Sequence, residues 1–166
     1  MGIAECVRAL CARYGLPFSK AAQTAWKRFE DRATSPLWPC VRARVVTLEP
    51  HAQDCIPAHL ERSHVDVALR GVDGKCPNMY KVCDVTGVDE RVQAVVASQE
   101  ATAHCLLDAL ERIEEEELDE FGFVCHGATH RSVACSFLLA ALVYPEARVC
   151  LTTTRTRRAA NLAGLR

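Results

Sequence analysis

The chain lacks paired cysteines: none of its ten cysteines forms a C-x2-C pair, which argues against a zinc ribbon. It lacks a long apolar run, so no segment is a candidate membrane span. Its opening residues lack the pattern of a secretory signal. It has no internal repeat and no low-complexity stretch, which excludes a repeat array. It also lacks net charge: the balance of -1 gives no bulk attraction to nucleic acid, so any such binding needs a local patch. Gly2 matches the start of a myristoylation signal, but Cys6 stands where that signal carries Ser or Thr. These absences lead to the expectation of a cytoplasmic protein with no membrane partner. Its thiols are then reduced, and most are small core residues.

Its 166 residues suit one domain with a sizeable core. An apolar content of 49% against 25% charged residues marks a globular chain. Ile3, Val7, Leu10 and Cys11 share one face of a helix over 3–13. Ser19 caps a second over about 20–32, with Ala22, Ala25, Trp26 and Phe29 inward. The proline-containing TSPLWPC, 34–40, reads as a linker. Residues 1–40 are thus an N-terminal helical hairpin added to an α/β domain over 41–166.

Within that domain VRARVVTL, 41–48, reads as a first strand, followed by a loop with Pro50 and Pro57. HVDVAL, 64–69, is a second strand, and 70–89 a long loop of the kind that is usually functional. Asp89 or Thr86 caps a helix to about Ser98. A further helix over about 99–117 ends in the acidic run Glu114–Glu117, read as a solvated face. Strands over 120–125 and 147–152 flank a helix over about 131–143, and an arginine-rich tail closes the chain. Alternating strands and helices predict the α/β class: a small, mostly parallel sheet flanked by helices. Ligands of such sheets bind beyond the carboxyl ends of the strands.

One such end carries chemistry. FGFVCHGATHRSV, 121–133, runs from an apolar strand through Gly127 and Ala128 into a helix opened by Arg131 and Ser132. Free amides and the helix dipole favour an anion there. The thiol of Cys125, the guanidinium of Arg131 and the hydroxyl of Ser132 surround one concavity, and a guanidinium fork suits phosphate oxygens. The bland alternative is a strand–turn–helix that only happens to hold a Cys and an Arg.

FVCHGATHRSV resembles the C-G-x-x-H-R-S-V type of loop in the C-terminal domain of the RapZ RNase adapter family. That family also has, upstream, an aspartate-containing strand, a variable loop and a T-G-L-D-like turn opening a helix; here the order is HVDVAL, a loop, then VTGVDERV. A basic strand and tail, ARVCLTTTRTRR, is similar too, and the likeness spans about residues 43–158. It implies an α/β domain that binds an amino-sugar phosphate or other anion, with an RNA or protein adapter role. By motif, the ligand residues are Asp66, Cys125, Gly127, His130, Arg131 and Ser132. Arg70, Thr86, Gly87, His126, Ala128 and Thr129 complete the expected site. Ala128 replaces a frequent second glycine, Ala68 stands where an arginine is usual, and GVDGKCPN replaces an N-P-[HY]-type stretch. Sugar specificity therefore does not carry over.

C-x5-R-S is also the signature of cysteine-dependent phosphatases, with Cys125 as nucleophile and Arg131 holding phosphate oxygens. The helix N-terminus and Arg131 favour a thiolate. Asp66, Asp84 or Asp89 is the candidate acid. The low-molecular-weight class places this loop at the chain start, and no D-P pair follows it here. Arg148, Arg155, Arg157 and Arg158 form a third, nucleic-acid reading, balanced by the alternative of a solvated basic tail. His126 and His130 lie in a turn, so no metal pair and no cofactor are expected. A homo-oligomer is left open. If the sheet is parallel, Asp66, Arg70 and Thr86-Gly87 approach the 125–132 loop. Asp66 then either accepts from a ligand donor or fixes the loop by pairing with Arg131 or Arg70.

Overall fold

The computed structural model describes residues 1–35, 47–52, 56, 58–76 and 78–164. They form α1 (Ile3–Arg13), α2 (Lys20–Ala33), β1 (Thr47–Ala52), β2 (His64–Asp66), α3 (Glu90–Ala97), α4 (Glu100–Glu115), β3 (Glu120–Cys125), α5 (Arg131–Leu142), β4 (Arg148–Val149) and α6 (Thr154–Leu162). Short 3-10 turns cover Ala58–Leu60 and Met79–Val82. The sheet order is β2-β3-β1-β4, and every described pairing is parallel. The expected α/β class, with a small parallel sheet, flanking helices and an N-terminal hairpin, is therefore the fold.

β3 lies between β2 and β1, and its residues after Glu120 are buried. Phe121 and Phe123 pack edge to face, 5.6 Å between ring centres. Side chains on both faces of a parallel strand meet helices, which is why this strand reads as a continuous apolar run. The hairpin joins the same core: Val7, Cys11, Trp26 and Phe29 cluster with the sheet residues. Trp26 Nε1 donates to Ala97 O at 2.8 Å, tying α2 to the end of α3. Ser19 caps α2 through Ala22 N (3.0 Å) and Asp89 caps α3 through Arg91 N (2.8 Å), as their sequence positions indicate.

Several boundaries differ from the sequence reading. Of the strand expected over 41–48, residues 41–46 lie outside the described residues, as do 36–40 of the linker. The described strand runs Thr47–Ala52 through Pro50, where a loop was expected. β4 pairs with Thr47 and Leu48 alone. Beyond Leu48 that side of β1 has no described strand partner, so the missing N–H of Pro50 is tolerated as on an edge. β2 stops at Asp66 and not at Leu69. The Asp66 carboxylate accepts from Ala68 N (2.9 Å) and Leu69 N (3.2 Å), which curls the chain into a turn. β4 spans two residues, because the chain leaves it to be capped by Thr153 as α6. The expected tail is thus a helix. The acidic run is also not wholly solvated: Glu114 is buried and accepts from Tyr144 Oη at 2.5 Å, while Glu115, Glu116 and Glu117 are exposed.

Candidate anion-binding site

β3 delivers Cys125 to the carboxyl edge of the sheet, and α5 begins at Arg131. Between them the chain turns tightly, with Ala128 N donating to Cys125 O at 3.3 Å. Ala128 adopts φ +42°, the left-handed region, and is 1% exposed. That conformation is one that favours glycine. His126 and Gly127 form the exposed rim. Cys125 and Ser132 form the floor: Sγ lies 3.1 Å from Oγ, and both residues are buried.

The first turn of α5 has no acidic residue, and its N-cap, His130, makes no side-chain capping bond. The amides of a first turn have no partner inside their own helix. They face the loop with the positive end of the helix dipole, and Arg131 adds a full charge. Arg131 Nη1 donates to Val72 O at 3.0 Å. A Cβ on Gly74 would meet Arg131 Nε at 2.9 Å and Cζ at 3.0 Å. The guanidinium therefore packs closely on the 72–74 segment, where a side chain at residue 74 would crowd it.

A second segment braces the loop. Gly87 N donates to Thr129 O at 2.8 Å, and His130 Nε2 lies 3.3 Å from Cys83 O. Thr86 is buried, with its hydroxyl 3.3 Å from Val88 N. Thr86 and Gly87 thus support the loop from behind. Thr129 Oγ1 turns back onto Gly127 O at 2.7 Å. Three remote segments, 72–74, 83–88 and 125–132, meet here; the segment at Arg131 is 72–74, where Asp66 and Arg70 were expected.

Other expected residues sit apart from the loop. Asp66 is the register partner of Val124, so the ends of β2 and β3 are adjacent, but its Oδ1 is occupied by the amides of its own turn. Its carboxylate pairs with the guanidinium of neither Arg131 nor Arg70. Arg70 instead reaches α4, where Nη2 lies 2.7 Å from Asp108 Oδ2. Of the basic residues, Arg155, Arg157 and Arg158 lie on α6 and Arg148 on β4. Arg148 is exposed on β4. Arg157 Nη2 donates to Thr152 O at 3.0 Å, and Arg155 Nη2 to Asp84 O at 2.9 Å. Sequence reasoning missed Val72 O, Gly74 and Cys83 O. Gly74 carried a weak signal, since an Asp-Gly pair marks a turn; backbone acceptors carry none.

Other thiols are buried in the main core. Burial pushes Cys105 up to about 12 and Cys11 up to about 11, and it raises Cys135 well above the ordinary thiol range. These three are protonated packing residues at neutral pH. No described helix is long and apolar enough to cross a membrane. Comparison with protein-family models, with curated proteins and with solved structures finds no match to this chain.

Proposed function

We propose that this chain is a binding module for a phosphorylated small molecule, held in the 125–132 loop. The observation that carries this reading is the uncapped first turn of α5, with Arg131 at its first position and Cys125 and Ser132 beneath it. Phosphate oxygens accept from the loop amides and the guanidinium, and the dipole of α5 adds to the attraction. The resemblance to the RapZ C-terminal domain supports the same reading and suggests an amino-sugar phosphate, with an RNA or protein adapter role. The carboxylate expected to hold the amino group, Asp66, is already engaged through Oδ1, so the phosphate end of the ligand has the stronger support.

Phosphate and sulfate raise the melting temperature by mass action: at 100 times Kd the gain is about 2.7 kcal/mol. Arg131→Ala abolishes that rise. No shift with millimolar phosphate, sulfate or sugar phosphates would refute the proposal.

A second reading, a cysteine-dependent phosphatase, is favoured by the 3.1 Å contact of Cys125 Sγ with Ser132 Oγ, which sets the thiol and the hydroxyl of the C-x5-R-S signature side by side. It is weakened by the acids. Both Asp89 oxygens face Arg91 (3.0 and 2.8 Å), and that pairing holds Asp89 below the usual carboxylate range. Fast alkylation of Cys125 near neutral pH, with aryl phosphate hydrolysis lost in Cys125→Ser, would establish the enzyme; a slow thiol would exclude it.

A further inference from the structure

Behind the 83–88 brace lies a second concavity that the proposed function does not use. It is a cleft of about 490 Å³ between that segment and α6, within the size range of small-molecule sites. Its base is apolar. Val88 packs with Val133 and Ala160 in a small cluster separate from the main core, and Ala159 packs against it. Val85 and Leu162 extend the apolar wall, and Leu162 is 81% exposed at the mouth. The cleft is therefore floored by fixed side chains and open to solvent.

Its polar groups are unevenly charged. Arg155 and Arg158 both line it, three residues apart and hence on one face of α6. Arg155 is anchored through Nη2 to Asp84 O, which fixes its guanidinium at the rim. Neither arginine has an ion pair among the described residues, and the first turn of α6 contains no acidic residue. Two acids line the cleft as well. Asp89 is neutralised by Arg91, through Nε at 3.0 Å and Nη2 at 2.8 Å. Asp84 alone opposes the two guanidiniums. Arg155, the second residue of α6, also sits near the positive end of the helix, where a cation is disfavoured unless an anion is near.

We infer that this cleft binds a small amphipathic organic anion, whose apolar ring or short chain lies on Val85, Val88, Ala159 and Leu162 and whose acidic group lies between Arg155 and Arg158. The apolar floor gives an amphipathic anion a contact that a bare inorganic ion lacks, and the arginines discriminate against a neutral body of the same shape. The site is separate from the 125–132 loop: it shares the brace but none of the loop's anion-holding groups.

The test uses the full chain and two dyes of one skeleton, 8-anilinonaphthalene-1-sulfonate and the uncharged N-phenyl-1-naphthylamine, read by fluorescence titration. The expected result is one sulfonate dye per chain, bound roughly tenfold more tightly than the neutral dye, with Arg158→Ala removing about that tenfold. Ala163→Trp, at an exposed position lining the cleft, fills it and blocks both dyes. Arg131→Ala leaves dye binding unchanged while removing the phosphate response, which separates this site from the loop. Equal affinity for the two dyes, no effect of Arg158→Ala, or dye binding that survives Ala163→Trp would each overturn the inference. Variants are compared only at matched far-ultraviolet circular dichroism, so that dye bound to unfolded chain is not counted.

Discussion

Gly87→Ala tests whether the 83–88 segment holds the anion loop in place. An added Cβ would stand 2.5 Å from Ala134 N and 2.8 Å from Val133 Cβ, and closer still to His130 O. Ordinary contacts of this kind begin near 3.4 Å, and two of the three atoms belong to the backbone of α5 and its cap, so no side-chain rotation relieves the clash. Overpacking of this sort costs about 1–3 kcal/mol. The turn must also move away from Thr129 O, weakening a 2.8 Å hydrogen bond worth about 1 kcal/mol. The expected loss is on the order of 2–4 kcal/mol, or roughly 5–15 °C in melting temperature for a domain of this size. Because the displaced atoms lie at residues 129–134, the phosphate-induced rise in melting temperature should fall as well. Urea denaturation and thermal melts with and without phosphate measure both effects. A variant that melts within about 1 °C of the parent and keeps its full phosphate response would show that the brace is not rigid, and the reasoning would fail.

Gly74→Ala should behave oppositely, because its Cβ meets only the far end of Arg131. Stability should change by under about 1 kcal/mol, while phosphate affinity drops about tenfold as the guanidinium leaves Val72 O; a large loss of stability with intact binding would contradict this. Asp66→Asn keeps a side-chain oxygen for the amides of Ala68 and Leu69 and should be nearly neutral. Asp66→Ala should cost about 1–2 kcal/mol by urea denaturation. If Asp66→Asn weakens an amino-sugar phosphate far more than inorganic phosphate, the carboxylate serves the ligand and not the turn. Stability should also fall in alkali. Cys105 and Cys11 titrate near 12 and 11 when folded but near 9 when unfolded, so their contribution is full below pH 9 and is lost as the pH rises through their folded values. Each should account for on the order of 1–2 kcal/mol by about pH 10.5, and Cys105→Ala should flatten the alkaline slope; an unchanged slope would show that other groups set it.

Much of this protein is determined by local sequence. The amphipathic stripes of α1 and α2, the Ser19 and Asp89 caps and the apolar run of β3 are properties of short segments, where periodicity and capping act without help from distant residues. The α/β class and the position of the 125–132 loop follow from their order. Thr153 ahead of an Arg- and Ala-rich stretch is a legible helix start for α6, although the same stretch also fits a basic tail. Tertiary structure alone decided the rest. Pro50 lies within β1 because the pairing with β4 is so short, and no residue near Pro50 records that. Whether Asp66 serves a ligand or a turn depends on two amides that any residues at 68 and 69 would supply. Arg131 finds its partner in a carbonyl 59 residues away, and backbone acceptors leave no mark on composition. Gly74 and Gly87 are glycines for what crosses them in space, Arg131 in one case and the start of α5 in the other. The loop's residues are written in the chain, but what holds them in place is set by the packing of segments that the sequence keeps apart.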